Sequence, residues 1–306
     1  SSAICIGGVG SVFWMWIIAI LGSASALAES TLAQIYKKKG EDGKCYGGPA
    51  YYIEAALHSR GLAVVFCIAM ILTYAFGFNM LASYNLQSTF AGQPFYNADI
   101  TPWIIGGILA LVMVWCLLGG GNRIVKVTST LVPFMGITYI LVSLLVVIMN
   151  IGQLPSVMAQ IFKEAFDFKA IFAGFAGSAM MQGIRRGLYS NEAGIGSAPN
   201  AAASAVVSHP VKQGLVQMLS VFIDTLLLCT ATAMMCLVSG VIPAEELQGA
   251  PWVQAALHKT LGSFGPYFIM IAMVLFAFTT LLGNCFYCDN LLTYIHKKQP
   301  DMKFMT

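Results

Sequence analysis

Apolar runs dominate the chain, and polar residues gather in short stretches between them. Seven runs are long enough to cross a bilayer, which takes about 20 helical residues. They cover residues 11–34, 61–89, 102–119, 128–150, 171–189, 213–239 and 264–292. The pattern predicts an all-α polytopic membrane protein, with one transmembrane domain over residues 1–306 and no separate soluble domain. Runs longer than 25 residues predict spans that tilt or extend past the bilayer. The fifth run differs from the others. It carries Gly174, Phe175, Gly177 and Ser178 near its middle, and glycine weakens a helix. One reading is a packing face in which Gly174 and Ser178 form a small-xxx-small pair. The other is a discontinuous helix whose freed backbone groups bind a ligand. Arg185 and Arg186 follow Ser178 by seven and eight residues, about 10–12 Å of helix. Against a half-thickness of about 15 Å, this predicts a glycine-rich stretch near mid-membrane and arginines that reach cytoplasmic water.

Composition narrows the class. Of 306 residues, 58% are hydrophobic and 9% charged, where soluble domains average roughly 45–50% and 25%. So little charge cannot cover a water-facing surface, which excludes a soluble enzyme, a nucleic-acid binder and a disordered chain. The net charge of +3 is too small to imply an anionic partner. The placement of Lys and Arg is more informative. If the first span runs from outside to inside, 13 of the 16 fall on the inner side, leaving only Lys163, Lys169 and Lys259 outside. This bias predicts a multi-pass cell-membrane protein with cytoplasmic basic loops. The chain opens at Ser1 in an apolar stretch with neither a charged leader nor a cleavage site. That argues against a signal peptide and for a start inside a longer protein.

Chemistry-bearing residues are few. The eight cysteines lie mostly in apolar runs, and Cys285 and Cys288 form a CxxC without a second pair, so no disulfide framework is expected. The four histidines lie in loops or at span ends, and there is no HExxH, Walker loop or GxSxG with a histidine partner. An intramembrane protease, an ATPase and a haem protein are therefore disfavoured, and no organic cofactor is expected. Ionisable groups within spans are candidates for function. Glu29 and Asp289 lie toward inner ends, where interfacial water or a basic partner is the simpler reading. Asp224 is deeper, and is either a helix-to-helix anchor or support for an ion site. In the last run, Phe276, Thr279 and Thr280 share one helical face through their i, i+3, i+4 spacing. A carbonyl and two hydroxyls on one face suit a hard cation such as sodium, whereas the plainer reading has the threonines bonding back to their own helix.

The stretch Arg186-Gly187-Leu188-Tyr189-Ser190-Asn191-Glu192-Ala193-Gly194-Ile195-Gly196-Ser197-Ala198-Pro199 resembles the signature of the alanine/glycine:cation symporters, the sodium–alanine symporter family. Gly47–Ile53, Leu131–Met135, Phe13–Trp16 and Ala28–Ala33 match as well, so the resemblance extends over the whole chain. It implies a leucine-transporter-like fold of two inverted five-helix repeats, with the seven runs standing as core helices 2 to 8. The fold would then be incomplete, lacking core helices 1, 9 and 10, and the chain by itself would not transport. The fifth run becomes the broken helix, so Gly174, Phe175, Gly177 and Ser178 are implied to bind substrate together with Thr280 and Asn284. Phe276, Thr279 and Thr280 are implied to hold sodium, with Asp224 in support. The implied activity is sodium-coupled symport of a small neutral amino acid such as alanine or glycine by alternating access. The alternatives are a non-transporting membrane scaffold or pseudogene fragment and, more remotely, an intramembrane enzyme. Two departures bear on specificity. Asn284 stands where the family usually has Trp, and Asn79–Tyr84 does not follow the usual Asn-x-x-Gln-x-Asn. If Asn284 faces the pocket, an amide in place of an indole would enlarge it and admit serine, threonine or glutamine; the alternative is that Asn284 turns toward another helix and pairs with a backbone carbonyl.

Overall fold

The computed structural model describes residues 1–39, 45–118, 120–167, 178–244 and 247–296. A short helix α1 (Ser2–Gly7) leads into α2 (Ser11–Ile35). A two-stranded antiparallel hairpin comes next, with β1 (Lys38–Lys39) paired to β2 (Cys45–Tyr46), Lys38 opposite Tyr46. Then come α3 (Pro49–Leu57), α4 (Arg60–Phe90), α5 (Thr101–Leu118), α6 (Gly120–Met149) and α7 (Leu154–Ala165). The second part holds α8 (Ala179–Asn191), α9 (Ser197–Ser204), α10 (Pro210–Val238), α11 (Ala250–Leu261) and α12 (Phe264–His296).

Six of these helices, α2, α4, α5, α6, α10 and α12, are long and apolar enough to cross a membrane. Five of them begin and end within four residues of the runs read from the sequence, and α6 begins eight residues before its run. The fifth run is different. Residues 171–177 lie outside the described residues, and the remainder of the run forms α8, a helix of 13 residues. At 1.5 Å per residue α8 is about 20 Å long, short of a bilayer core of about 30 Å.

The burial pattern is that of a protein in lipid. On α2 the buried stripe is Ser11, Met15, Ala19, Gly22, Ser23, Ala26, Glu29, Ser30 and Ala33, recurring every three or four residues. The large side chains Ile20, Leu21, Leu32 and Ile35 point outward. Helix α5 likewise presents Trp103 and Leu111 to the surroundings. Small residues inside and bulky ones outside let helix backbones approach closely where lipid gives no hydrophobic drive for helices to associate.

Glycine sets that approach. A Cβ at Gly183 would meet the Ser11 carbonyl, one at Gly187 would meet Ile18, and one at Gly214 would meet Thr31 and the Leu27 carbonyl. Helix α8 therefore runs parallel to the first half of α2, and α10 runs antiparallel along the same helix. The Trp16 indole N–H adds a 2.8 Å bond to Thr230 Oγ1 on α10.

Two helices contain wide π-helical turns, Thr73–Phe78 in α4 and Phe222–Cys229 in α10. Such turns interrupt the regular ladder and often mark functional positions. Here the first carries the buried Tyr74 and the second carries Asp224.

Candidate functional site

Helix α8 starts abruptly. Ser178 has extended backbone angles and caps the helix, its hydroxyl accepting from the Met181 N–H at 3.3 Å. A serine N-cap is what a helix beginning here requires. Ser178 is buried, and its carbonyl sits against Gly7 at the α1–α2 junction. Gly174, Phe175 and Gly177 lie outside the described residues.

Further along, α8 borders a cavity of about 400 Å³ enclosed by α1, α2, α4, α6, α8, α10, α11 and α12. Its polar lining includes Asn85, Tyr139, Arg186, Ser190, Asp224, Thr232 and Thr280, and Phe276 adds an aromatic wall. Spacing of four residues puts Arg186 and Ser190 on one face of α8. Ser190 Oγ donates to Asp224 Oδ2 at 2.6 Å, and Thr225 Oγ1 donates to the same oxygen at 3.2 Å. Ser190 also meets Cys229 Sγ at 3.0 Å. The Arg186 guanidinium reaches Cys229 Sγ at 3.6 Å, lies 5.9 Å from the centre of the Tyr189 ring, and is attracted electrostatically to Asp224. Across the cavity, the Tyr139 hydroxyl and Thr232 Oγ1 are 2.8 Å apart. The cavity wall thus offers one cation, one anion and several hydroxyls in a space suited to a small polar molecule.

The residues expected from the sequence are only partly gathered here. Phe276 and Thr280 line the cavity, as does Asp224, which is also tied to α8 through Ser190. Thr279 is buried beside it and bonds back to the carbonyls of Leu275 at 3.0 Å and Phe276 at 3.1 Å. Asn284 is 3% exposed, is not part of the cavity lining, and donates to Asn79 Oδ1 on α4 at 2.7 Å.

Arg186 lines the cavity rather than a loop. It lies close to the level of Ile18, in the first half of α2, because Gly183 and Gly187 lock α8 beside that part of the helix. Its partners there are Asp224, a thiol and an aromatic face. Ser190 joins the site without having stood out in the sequence, although its four-residue spacing from Arg186 is visible there.

Beyond Ser190 the chain turns sharply. Glu192, Gly194 and Gly196 all have positive φ, of 53°, 80° and 98°. The turn aims Gly194 N–H at Glu29 Oε1, 3.1 Å away on α2. Ser197 donates to Glu192 Oε2, and Ala193 N–H meets Asn191 Oδ1 at 3.0 Å. Asn200, one turn into α9, donates to the Gly196 carbonyl at 2.8 Å. Asn290 on α12 reaches Gly47 O at 2.6 Å and Asn200 Oδ1 at 3.0 Å. Gly48, at φ 127°, leaves no room for a side chain against Asn200. One loop therefore joins α2, α8, α9, α12 and the Gly47–Gly48 turn.

The profile of the sodium:alanine symporter family matches residues 1–306. The chain is 44% identical over 309 residues to the putative sodium/proton-dependent alanine carrier protein YrbD of Bacillus subtilis, covering 96% of this chain and 63% of that protein. It is 44% identical over 298 residues to the probable sodium/glutamine symporter GlnT of the same organism, covering 97% and 61%. It is 37% identical over 298 residues to the sodium/alanine symporter AgcS of Methanococcus maripaludis, covering 96% and 66%. The chain thus spans somewhat under two thirds of the length of these relatives. With a matching profile end to end and a helical architecture suited to the bilayer, the chain belongs to the sodium:alanine symporter family, a family of transporters and not of enzymes.

Proposed function

We propose that this chain forms the translocation core of a sodium-coupled symporter for a small neutral amino acid, working by alternating access at the cell membrane with its basic loops in the cytoplasm. The observation that carries the reading is that Phe276 and Thr280, the cation-suited face of α12, border the same cavity as Arg186, Ser190 and Asp224. A zwitterion needs donors and acceptors side by side, and a coupling ion must sit close enough to sense it. Thr279 fits this scheme despite bonding to its own helix. A hydroxyl that donates its proton to a carbonyl keeps its lone pairs for a cation. Helix α8, starting at a capped serine, is the described half of a broken helix of the leucine-transporter-like kind. Its first N–H groups carry partial positive charge suited to a carboxylate, so Ser178 stands with Gly174, Phe175 and Gly177 as the proposed substrate-facing break.

Relatives at equal identity are named for alanine and for glutamine, so similarity alone does not choose between these substrates. The deciding experiment is uptake of labelled alanine, glycine, serine and glutamine into proteoliposomes by the full-length protein, with and without an inward sodium gradient. Sodium-dependent accumulation of at least one of these is expected. Equal uptake with sodium and with potassium overturns the reading.

A further inference from the structure

A second polar cluster lies at the far end of α8, below the cavity, and the proposed transport reaction does not use it. Glu29 on α2 is 8% exposed, and Glu192 directly succeeds the last residue of α8. Their carboxylates are close enough to repel each other. The groups facing them from every neighbouring element are neutral or negative. Glu29 meets Gly194 N–H, the Gly196 amide and Tyr52 of α3. Glu192 meets Ser197 of α9, Tyr74 of α4, Tyr189 of α8, Tyr287 of α12 and, at longer range, Asp224 of α10. Among the described residues no Lys, Arg or His interacts with either carboxylate; Arg186, on the same helix as Glu192's neighbour Asn191, is engaged with Asp224, Cys229 and Tyr189.

A second observation points to a ligand. Tyr74 is 0% exposed, and its hydroxyl lies toward Ser197 and Glu192 without completing a hydrogen bond of ordinary length and angle. A buried phenol placed by the π-helical turn of α4 and held short of a full hydrogen bond is costly unless an ion or proton draws these groups together. Two carboxylates with no cation, in a low-dielectric interior, are costly for the same reason.

We propose that Glu29 and Glu192 together bind one monovalent cation, sodium or a proton, with Ser197 and Tyr74 completing the site. Sodium would take oxygen from both carboxylates and both hydroxyls. A proton would sit on one carboxyl and leave the other charged, with the Tyr74 hydroxyl donating to it. Either way one positive charge is added and no bond to carbon changes. The site ties α2 to the loop that ends α8, so its occupancy would bias how tightly that loop docks.

The inference rests on the symporter reading only for its purpose, and its test does not require transport. Purified full-length protein, free of amino acid, is titrated with radioactive sodium at several pH values, while proton uptake is followed in weak buffer. The variants are Glu29→Gln, Glu192→Gln and Tyr74→Phe. If the ion is sodium, wild type binds one more sodium than either Gln variant, or binds it roughly tenfold more tightly. If it is a proton, sodium binding is unchanged but wild type takes up one proton around neutral pH, above the range where ordinary carboxylates titrate, and each Gln variant lacks that step. Tyr74→Phe keeps both charges and should weaken the same event several-fold, which keeps the test valid should a Gln variant fail to fold. Identical sodium stoichiometry, sodium affinity and proton uptake around neutral pH in wild type and variants overturns the proposal. A cluster that binds its cation in a protein that transports none of the amino acids would sink the symporter reading alone.

Discussion

The two ends of α8 solve the problem of buried charge in opposite ways. At Arg186 and Ser190 the helix meets Asp224, so a cation, an anion and their hydrogen-bonding neighbours compensate each other around a cavity. At Glu192, further along the chain, the helix meets Glu29, and no cation among the described residues answers either carboxylate. What differs is the partner helix. The π-turn of α10 brings an acid toward the arginine, while the π-turn of α4 brings only a neutral phenol toward the glutamate. A compensated cluster is suited to holding a fixed geometry, and an uncompensated one to taking up charge from outside.

The contrast depends on α8 being held against α2, and the largest expected effect comes from breaking that contact. A Cβ at Gly187 already meets Ile18, so Gly187→Leu should push the helices apart. Overpacking a well-packed site costs about 1–3 kcal/mol, occasionally more, and here Ile18 and the Met15 carbonyl both stand in the way. Loss of a single folded species in size-exclusion chromatography, or a large drop in melting temperature, is expected. Unchanged stability would mean that α8 does not rest on α2, and the comparison of its two ends would lose its basis.

Next in size are the charge deletions, where the two ends should differ in sign. Arg186→Met leaves Asp224 buried without its cation, an arrangement that costs about 3–5 kcal/mol. Adding Asp224→Asn to that variant should recover most of the loss. Glu192→Gln removes a repulsion instead, so in sodium-free buffer it should leave stability unchanged or raise it. Thermal unfolding of the three variants in detergent checks this. Destabilisation of similar size by Arg186→Met and Glu192→Gln would show that the two clusters are alike.

How far the sequence alone discloses these features depends on what each rests on. The six long helices are legible because a run of apolar residues and the thickness of a bilayer fix a span almost by themselves. Thr280 and Phe276 are legible because helical spacing is local. Arg186 is not, since its depth depends on which helix α8 packs against, and that is decided by Gly183 and Gly187 meeting Ser11 and Ile18, far away in the chain. Glu29 reads as an interfacial residue for the same reason, because Gly194 N–H reaches it only through a turn with three left-handed residues. Asn79 and Asn284 each stand out as departures from the family, yet only the fold shows that the two departures touch.

That contact gives the third prediction. Asn284→Ala removes the donor to Asn79 Oδ1 in a buried setting, at a cost of about 1–3 kcal/mol. Because Asn284 does not line the cavity, the order in which unlabelled amino acids compete for uptake should match wild type. A reordered panel would place this amide in contact with substrate and extend the compensated end of α8 toward α4.

The smallest effect expected is on the proposed sodium face of α12, and it tests whether the cavity and the coupling ion share a wall. Thr280 borders the cavity, whereas Thr279 is buried and already bonded to Leu275 O and Phe276 O. Valine keeps the shape of threonine and removes the oxygen. For Thr280→Val the lost ligand is worth about 0.5–1.5 kcal/mol, so the sodium concentration for half-maximal uptake should rise roughly 2- to 13-fold. Thr279→Val loses a back-bond as well as a lone-pair donor, and its shift should be equal or smaller, because its own carbonyls regain some bonding within the helix. The substrate concentration for half-maximal uptake at saturating sodium should stay the same in both. If sodium dependence is unchanged in both variants, α12 does not hold the coupling ion, and the cluster around Glu29 and Glu192 becomes the better candidate for it.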